Sequence, residues 1–151
     1  MNTLSNIQSI YFVGIGGIGM SALARFAIKK NLAVFGYDKT QTALTATLEK
    51  EGADITFEDS VSSLPPKVKN NTSTLVVYTP AIPEDNKILQ WFIQQDYRVI
   101  KRAEFLGELT QDTLCLAVAG THGKTTTSAI LGHLLAYCDM PVTAFLGGIT
   151  E

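Results

Sequence analysis

Two short glycine-rich segments constrain the fold more than any other feature, because each lies between a β-prone run and a helical pattern. The first segment, residues 14–19, follows the apolar run at 10–13. The second, residues 120–123, follows residues 114–119, whose apolar character is typical of a buried strand. A strand, a glycine turn and a helix in succession are typical of α/β folds with parallel strands. The pattern therefore predicts two such units in one chain.

The rest of the chain continues this alternation. Further strands are predicted at 32–37, 54–57, 74–79, 97–100 and 141–146. Helices are predicted at 20–30, 42–51, 84–95, 103–109 and 124–137, and residues 60–71, which contain Pro65 and Pro66, are predicted to be mostly loop. We expect a Rossmann-like parallel sheet flanked by helices over residues 1–110. Residues 111–151 are expected to form the first strand, P-loop, helix and strand of a second α/β domain.

The first glycine segment fits the pattern G-x-G-x-x-G, directly after a strand and at the start of a helix. Glycine there permits a tight turn and a close approach of the backbone to a diphosphate, and the helix N-terminus offers free N–H groups. Ser21 could add a hydroxyl donor, and Asp38, after the second strand, could hold ribose hydroxyls. NAD and a nucleotide sugar fit this pattern equally well. The structural alternatives are glycines that only shape a turn and an Asp38 that is a solvated strand-end carboxylate.

The second glycine segment continues into Gly123-Lys124-Thr125, the end of a P-loop. Lys124 would bind phosphate oxygens, and the Thr125 hydroxyl would coordinate Mg²⁺. The full pattern requires a glycine five residues before Gly123, where this chain has Val118, so the loop is a shortened one. A lysine at a helix start opposes the helix dipole unless an anion lies beside it, which favours phosphate binding. The alternative for His122 is a loop histidine with no chemical role.

Composition narrows the classes of partner and location. The 12 basic and 14 acidic residues give a formal net charge of −2, which disfavours nucleic acid as a partner. No apolar stretch reaches the about 18 residues that a membrane span needs, and the N-terminus lacks the pattern of a signal peptide. Cys115 and Cys138 are predicted to be core residues in a reducing compartment. A cytoplasmic location is expected.

The residues of both glycine segments resemble those of a known family. Residues 120–127, GTHGKTTT, resemble the shortened P-loop of the Mur ligases, ATP-dependent enzymes that form peptide bonds in bacterial cell-wall synthesis. Residues 76–83 (VVYTPAIP) and 102–109 (RAEFLGEL) are similar to other segments of the family. Residues 13–24 (VGIGGIGMSALA) are similar to the glycine loop of the member that joins L-alanine to UDP-N-acetylmuramate. A relative that joins a peptide to the same sugar nucleotide is not firmly separated from it.

The resemblance implies a reaction and a set of site residues. ATP would phosphorylate the muramoyl carboxylate, and the amine of L-alanine would displace phosphate from the resulting acyl phosphate. Carried over by position, the residues that would bind the UDP part are Gly14, Gly16, Gly17, Ile18, Gly19, Met20, Ser21, Asp38 and Thr79. Those that would bind ATP are Gly120, Thr121, His122, Gly123, Lys124, Thr125 and Thr126, with Lys124 as a catalytic residue and Thr125 on Mg²⁺. The chain departs from the family at Tyr37, where serine is common, and at Thr79 and Pro80, which replace a serine pair.

The resemblance also implies parts that these 151 residues do not contain. The acidic and histidine metal ligands of the ATP domain and the domain that binds the amino acid are missing. We therefore expect the N-terminal part of a longer ligase, which binds UDP but does not catalyse the reaction alone. Residues 113–151 are expected to support a homodimer, because a strand edge without neighbours pairs readily with another chain. The alternatives from other classes are an NAD(P)-binding module and a non-enzymatic sensor of the sugar nucleotide.

Overall fold

The structure, a computed structural model, describes residues 6–70, 73–111 and 113–146. The chain divides into two units, Met1–Thr113 and Leu114–Glu151. The division predicted from the sequence, between residues 110 and 111, lies a few residues earlier and stays a prediction.

The first unit contains a five-stranded, all-parallel sheet. Its strands are β1 (Ser9–Val13), β2 (Ala33–Tyr37), β3 (Asp54–Thr56), β4 (Thr74–Tyr78) and β5 (Arg98–Lys101). Their order in the sheet is β3-β2-β1-β4-β5. Every predicted strand of this unit is present, and the expected α/β fold with a parallel sheet and flanking helices is confirmed.

Helices connect the strands. They are α1 (Ile18–Lys29), α2 (Ala43–Lys50), α3 (Pro66–Lys69), α4 (Lys87–Gln94) and α5 (Arg102–Thr110), with a 3-10 turn at Val61–Ser63. The region predicted to be mostly loop thus contains the 3-10 turn and α3. Pro66 is the first residue of α3, a position where proline's missing N–H and fixed φ favour a helix.

The centre of the sheet is the centre of the core. All five residues of β1 are buried, as are the first four of β4. A central parallel strand is covered by helices on both faces, so apolar residues are favoured at consecutive positions rather than at alternate ones. The edge strands β3 and β5 are correspondingly more exposed.

The second unit departs from its predicted structure. Its helix α6 (Lys124–Tyr137) is present, but residues 114–119 and 141–146, both predicted as strands, form none. A strand requires hydrogen bonds from a neighbouring strand, and no described segment pairs with either stretch. Cys115 and Cys138 are both exposed, so their assignment to a core was wrong. Cys115 lies in residues 114–119, which form no strand, and Cys138 caps the C-terminus of α6, which has no buried residue.

Candidate functional site

The register of the sheet brings four residues into a row at its carboxyl edge. Val13 at the end of β1 pairs with Tyr37 of β2 and with Tyr78 of β4, and Tyr78 pairs with Lys101 of β5. The residues that come directly after these strand ends are, in sheet order, Asp38, Gly14, Thr79 and Arg102. From β1 the chain adds β2 and β3 on one side of the sheet, and it then crosses to add β4 and β5 on the other side. Open α/β sheets bind ligands in the crevice at such a switch point.

Gly14 begins the loop between β1 and α1 and fixes its path. Its φ is +89°, a conformation that side-chain-bearing residues rarely adopt. The N–H groups of Gly14 and Ile15 both donate to the carbonyl of Tyr37, at 2.8 and 3.1 Å. A Cβ on Gly14 would lie 2.7 Å from Cγ2 of Thr79. The loop is therefore held tightly between the ends of β2 and β4.

Asp38 braces this loop. Its Oδ2 accepts the N–H of Gly16 at 2.7 Å, and its Oδ1 accepts the N–H of Thr40 at 3.2 Å. The Gly16 amide is thus engaged by a carboxylate of the protein itself. The role of Asp38 toward a nucleoside stays a prediction, but its hydrogen bonds to Gly16 and Thr40 show that it shapes the glycine loop directly.

The first turn of α1 is open to an anion. Its N-cap residue, Gly17, has no side chain to cap the helix. In the described part of the chain the N–H groups of Ile18, Gly19 and Met20 have no hydrogen-bond partner. Unpaired N–H groups at the positive end of a helix form a binding surface for phosphate. These three amides at the start of α1, rather than that of Gly16, are the donors without a partner among the described residues.

Two side chains of this turn face the protein interior. Met20 and Ser21 are both 2% exposed. The Ser21 hydroxyl donates to the carbonyl of Ile18 at 2.8 Å, so its proton is already committed. Its predicted role as a donor to a diphosphate stays a prediction.

Arg102 is the residue of the row that sequence reasoning missed. It begins α5, and its guanidinium lies directly against the position where a Cβ on Gly19 would be. In the sequence, Arg102 lies in a segment similar to the family, and the strand before it is predicted to end at residue 100. The signal that could have identified Arg102 is its position directly after a strand. It was hidden because the predicted strand ends one residue before β5 does.

The P-loop of the second unit is wrapped around its own lysine. Gly120 and Gly123 have φ of +151° and +75°, and Gly123 is the N-cap of α6. The Lys124 ammonium donates to the carbonyls of Gly120 and Thr121, at 2.6 and 3.1 Å. The positive end of the helix dipole disfavours an ammonium at the start of a helix. The two loop carbonyls stabilise the Lys124 ammonium instead. Lys124 is thereby held beside the N-terminus of α6.

Polar side chains lie on both sides of Lys124 in the sequence. Nδ1 of His122 lies 3.2 Å from the Thr121 hydroxyl, both side chains are exposed, and no side chain caps α6. The hydroxyls of Thr125 and Thr126 have no hydrogen-bond partner among the described residues. For a metal ion, residues 6–70, 73–111 and 113–146 contain no group of three or more His, Cys, Asp or Glu that could hold one. The contact of Thr125 with Mg²⁺ stays a prediction.

In the described ranges no helix is both long enough and apolar enough to cross a membrane.

The family model described as Mur ligase family, catalytic domain, matches residues 9–113. The chain belongs to the Mur ligase family. This confirms the resemblance drawn from the two glycine segments. The match covers the sheet, the glycine loop and the row of residues at the carboxyl edge, but not the P-loop.

Curated relatives within the Mur ligase family match nearly the whole chain. A UDP-N-acetylmuramate–L-alanine ligase of Christiangramia forsetii is 53% identical over 152 residues, which cover 100% of this chain and 34% of that protein. A protein of the same name from Flavobacterium psychrophilum is 54% identical over 98% of this chain and 33% of its own length. The chain therefore spans about a third of the length of the curated relatives it matches.

Solved structures of Mur ligases share the fold. A UDP-N-acetylmuramate–alanine ligase of Thermotoga maritima superimposes with a TM-score of 0.84 at 34% identity, over 94% of this chain and 32% of that one. A UDP-N-acetylmuramate:L-alanyl-γ-D-glutamyl-meso-diaminopimelate ligase of Neisseria gives a TM-score of 0.82 at 26% identity, over 96% of this chain and 44% of that one.

Proposed function

We propose that this chain forms the sugar-nucleotide-binding part, and the beginning of the ATP-binding part, of a UDP-N-acetylmuramate–L-alanine ligase. The observation that carries the proposal is the uncapped first turn of α1, which follows the carboxyl end of β1 and has three N–H groups without a partner among the described residues. Relatives with that name, at 53% and 54% identity over nearly the whole chain, support it. The expected cytoplasmic location stays a prediction.

In this function the free amides of Ile18, Gly19 and Met20 bind the diphosphate of UDP-N-acetylmuramate, and Asp38 holds the loop that presents them. Lys124 binds the phosphates of ATP once they displace the loop carbonyls that it now contacts. The carboxylate of the sugar takes the terminal phosphoryl group, and ADP leaves. The amine of L-alanine then forms the peptide bond as phosphate leaves. Mg²⁺, held in part by Thr125, would neutralise charge on the transferred phosphoryl group.

The role of the α1 amides can be tested by removing one donor without removing the helix. Ile18 is the first residue of α1, where proline is well tolerated, and Gly17 before it has φ −69° and ψ 144°, which suit a residue before proline. Ile18→Pro should weaken binding of UDP-N-acetylmuramate by about threefold to tenfold, the value of one hydrogen bond. Ile18→Ala removes the same side chain and keeps the N–H. The difference between the two variants, measured by isothermal titration calorimetry, isolates the amide.

The same titration distinguishes the alternative function. An NAD(P)-binding module would bind NADH in preference to UDP-N-acetylmuramate. We expect the reverse, because the relatives at 53% and 54% identity are UDP-N-acetylmuramate–L-alanine ligases. Preferential binding of NADH would overturn the proposal.

We further propose that the 151-residue chain binds the sugar nucleotide without turning it over. Its described residues contain no acidic or histidine cluster for a metal ion. A phosphate-release assay with UDP-N-acetylmuramate, L-alanine, ATP and Mg²⁺ should give only the rate measured without enzyme. Release that depends on both the sugar nucleotide and L-alanine would contradict this.

The homodimer expected through residues 113–151 is retained as a proposal. It is supported by large apolar side chains of the second unit that are exposed, namely Leu114, Leu116, Ile130, Leu134, Tyr137, Met140 and Val142. Apolar area of this kind favours association. Light scattering over a concentration series should show a dimer, and a monomer at the highest concentration would disprove it.

A further inference from the structure

The position of Arg102 cannot be explained by the packing of the sheet. Arg102 follows β5 directly, yet its guanidinium lies against Gly19 in the first turn of α1, which is distant in sequence. If Gly19 carried a Cβ, that atom would lie 3.3 Å from Cζ of Arg102 and 3.6 Å from its Cδ, with Nη1 closer still. The guanidinium therefore occupies the space that any side chain at position 19 would need.

No acceptor in the described part of the chain accounts for this placement. Arg102 is exposed and donates to no carboxylate or carbonyl there, whereas Arg25 and Arg98 are paired with Glu51 and Glu108. The place it occupies is the positive end of α1, where the Ile18, Gly19 and Met20 amides are also unpaired. A cation beside a helix N-terminus is unfavourable unless an anion lies between them.

We propose that Arg102 binds the diphosphate of the sugar nucleotide together with the α1 amides. This rests on the proposed function and adds a residue to its binding site. A guanidinium presents a planar fork of donors that matches two oxygens of a phosphate group, and such charge-assisted pairs are strong. The third glycine of the loop, Gly19, is then required because it gives Arg102 access to the first turn of α1.

The experiment compares UDP with uridine, because only UDP carries the diphosphate. In isothermal titration calorimetry of the 151-residue chain, Arg102→Gln should weaken UDP binding by about 10- to 100-fold, as expected for a lost hydrogen bond to a charged group. Uridine binding should be unchanged. Arg102→Lys should be intermediate, because it keeps the charge but not the planar fork. Lys29→Gln removes the same charge at the other end of α1 and should leave UDP binding unchanged.

A second pair of variants links Arg102 to Gly19. Gly19→Ala should weaken UDP binding in the natural chain by displacing the guanidinium, and should have little further effect when Arg102 is already glutamine. Equal and additive losses would show that the two residues act separately and would overturn the proposal. So would an Arg102→Gln variant that binds UDP normally, or one that loses UDP and uridine equally.

The failure of this inference can be told apart from that of the proposed function. If the natural chain binds neither UDP nor UDP-N-acetylmuramate, the proposed function is wrong and Arg102 has no diphosphate to bind. If the natural chain binds both and the Arg102 variants do so equally well, only the role of Arg102 is wrong.

Discussion

At the scale of single residues, one buried hydroxyl is at odds with its surroundings. Tyr11 lies in the middle of β1 with its side chain fully buried, and its ring packs against Phe92 at a centroid distance of 4.9 Å. Its hydroxyl has no hydrogen-bond partner among the described residues. Burial first of all, and then the nearby Asp54, raise the pKa of Tyr11 well above its usual value of 10.0. A buried hydroxyl without a partner lowers the stability of the fold.

Tyr11→Phe should therefore stabilise the protein. Removing the unpaired hydroxyl is expected to raise the free energy of unfolding by about 1 kcal/mol at pH 7, measured by urea denaturation. Because the pKa is higher in the folded than in the unfolded chain, the natural protein should lose stability as the pH rises above 10.0. The variant should lose less, with a remainder from Tyr37 and Tyr97, whose pKa values burial also raises. Tyr137→Phe, at an exposed position, is the control.

The residue types of the candidate site were predictable, but their partners were not. The spacing of glycines after a strand identified the loop, and Asp38 was identified because it is an acidic residue directly after the second strand. The hydrogen bond from Gly16 to Asp38 depends on how β1 pairs with β2, and the approach of Arg102 to Gly19 depends on the pairing across β1, β4 and β5. Register between strands distant in sequence leaves no local signal, so these contacts required the structure.

At the scale of elements, the N-termini of α1 and α4 show opposite solutions to the same problem. In α4 the Asn86 Oδ1 accepts the N–H of Leu89 at 2.8 Å. The two carboxylate oxygens of Asp59 accept the N–H groups of Lys87 and Ile88, both at 3.1 Å. The first turn of α4 is thus satisfied by the protein, while that of α1 is left free. Under the proposed function, the N-terminus of α1 is left for a ligand, whereas the capped N-terminus of α4 contributes to stability.

Removing either cap of α4 should destabilise the fold. Asn86→Ala and Asp59→Ala should each lower the free energy of unfolding by about 1 kcal/mol, since each leaves helix N–H groups unsatisfied. Asp85→Asn, at the exposed position beside Asn86, should have a smaller effect. Chemical denaturation of the three variants measures this. A loss at Asp85 as large as the others would mean that charge near the helix, rather than capping, is responsible.

Element boundaries were predictable where local chemistry sets them. The sequence predicted α4 from residue 84, but Asn86 is its cap and the helix begins at Lys87. Likewise Thr42, predicted as the first residue of α2, forms a capping box with Thr45 and lies just outside the helix. Both are side chains with a strong preference for the cap position, so this signal was present in the sequence.

At the scale of the whole molecule, the two units differ in whether each has a buried apolar core of its own. Every fully buried apolar side chain in the described part of the chain lies between Ile10 and Phe105, within the first unit. The helix α6 has no buried residue. The strand predicted at residues 114–119 is absent because apolar composition favours a strand but does not provide the neighbouring strand with which it must pair. Composition is local, and pairing is not.

The first unit should therefore fold and bind ligand without the second. A chain that ends at Thr113 keeps the sheet and the whole described core, because both lie before that residue. Its melting temperature, followed by circular dichroism, should stay within about 4 °C of that of the 151-residue chain, which corresponds to a change of less than 1 kcal/mol. Its affinity for UDP should also be unchanged, since the α1 amides, Asp38 and Arg102 are all retained.

In the 151-residue chain, backbone amides of residues 114–119 should exchange with solvent faster than those of β1, because no sheet protects them. A large fall in melting temperature on truncation, together with slow exchange at 114–119, would show instead that the second unit is part of one cooperative structure.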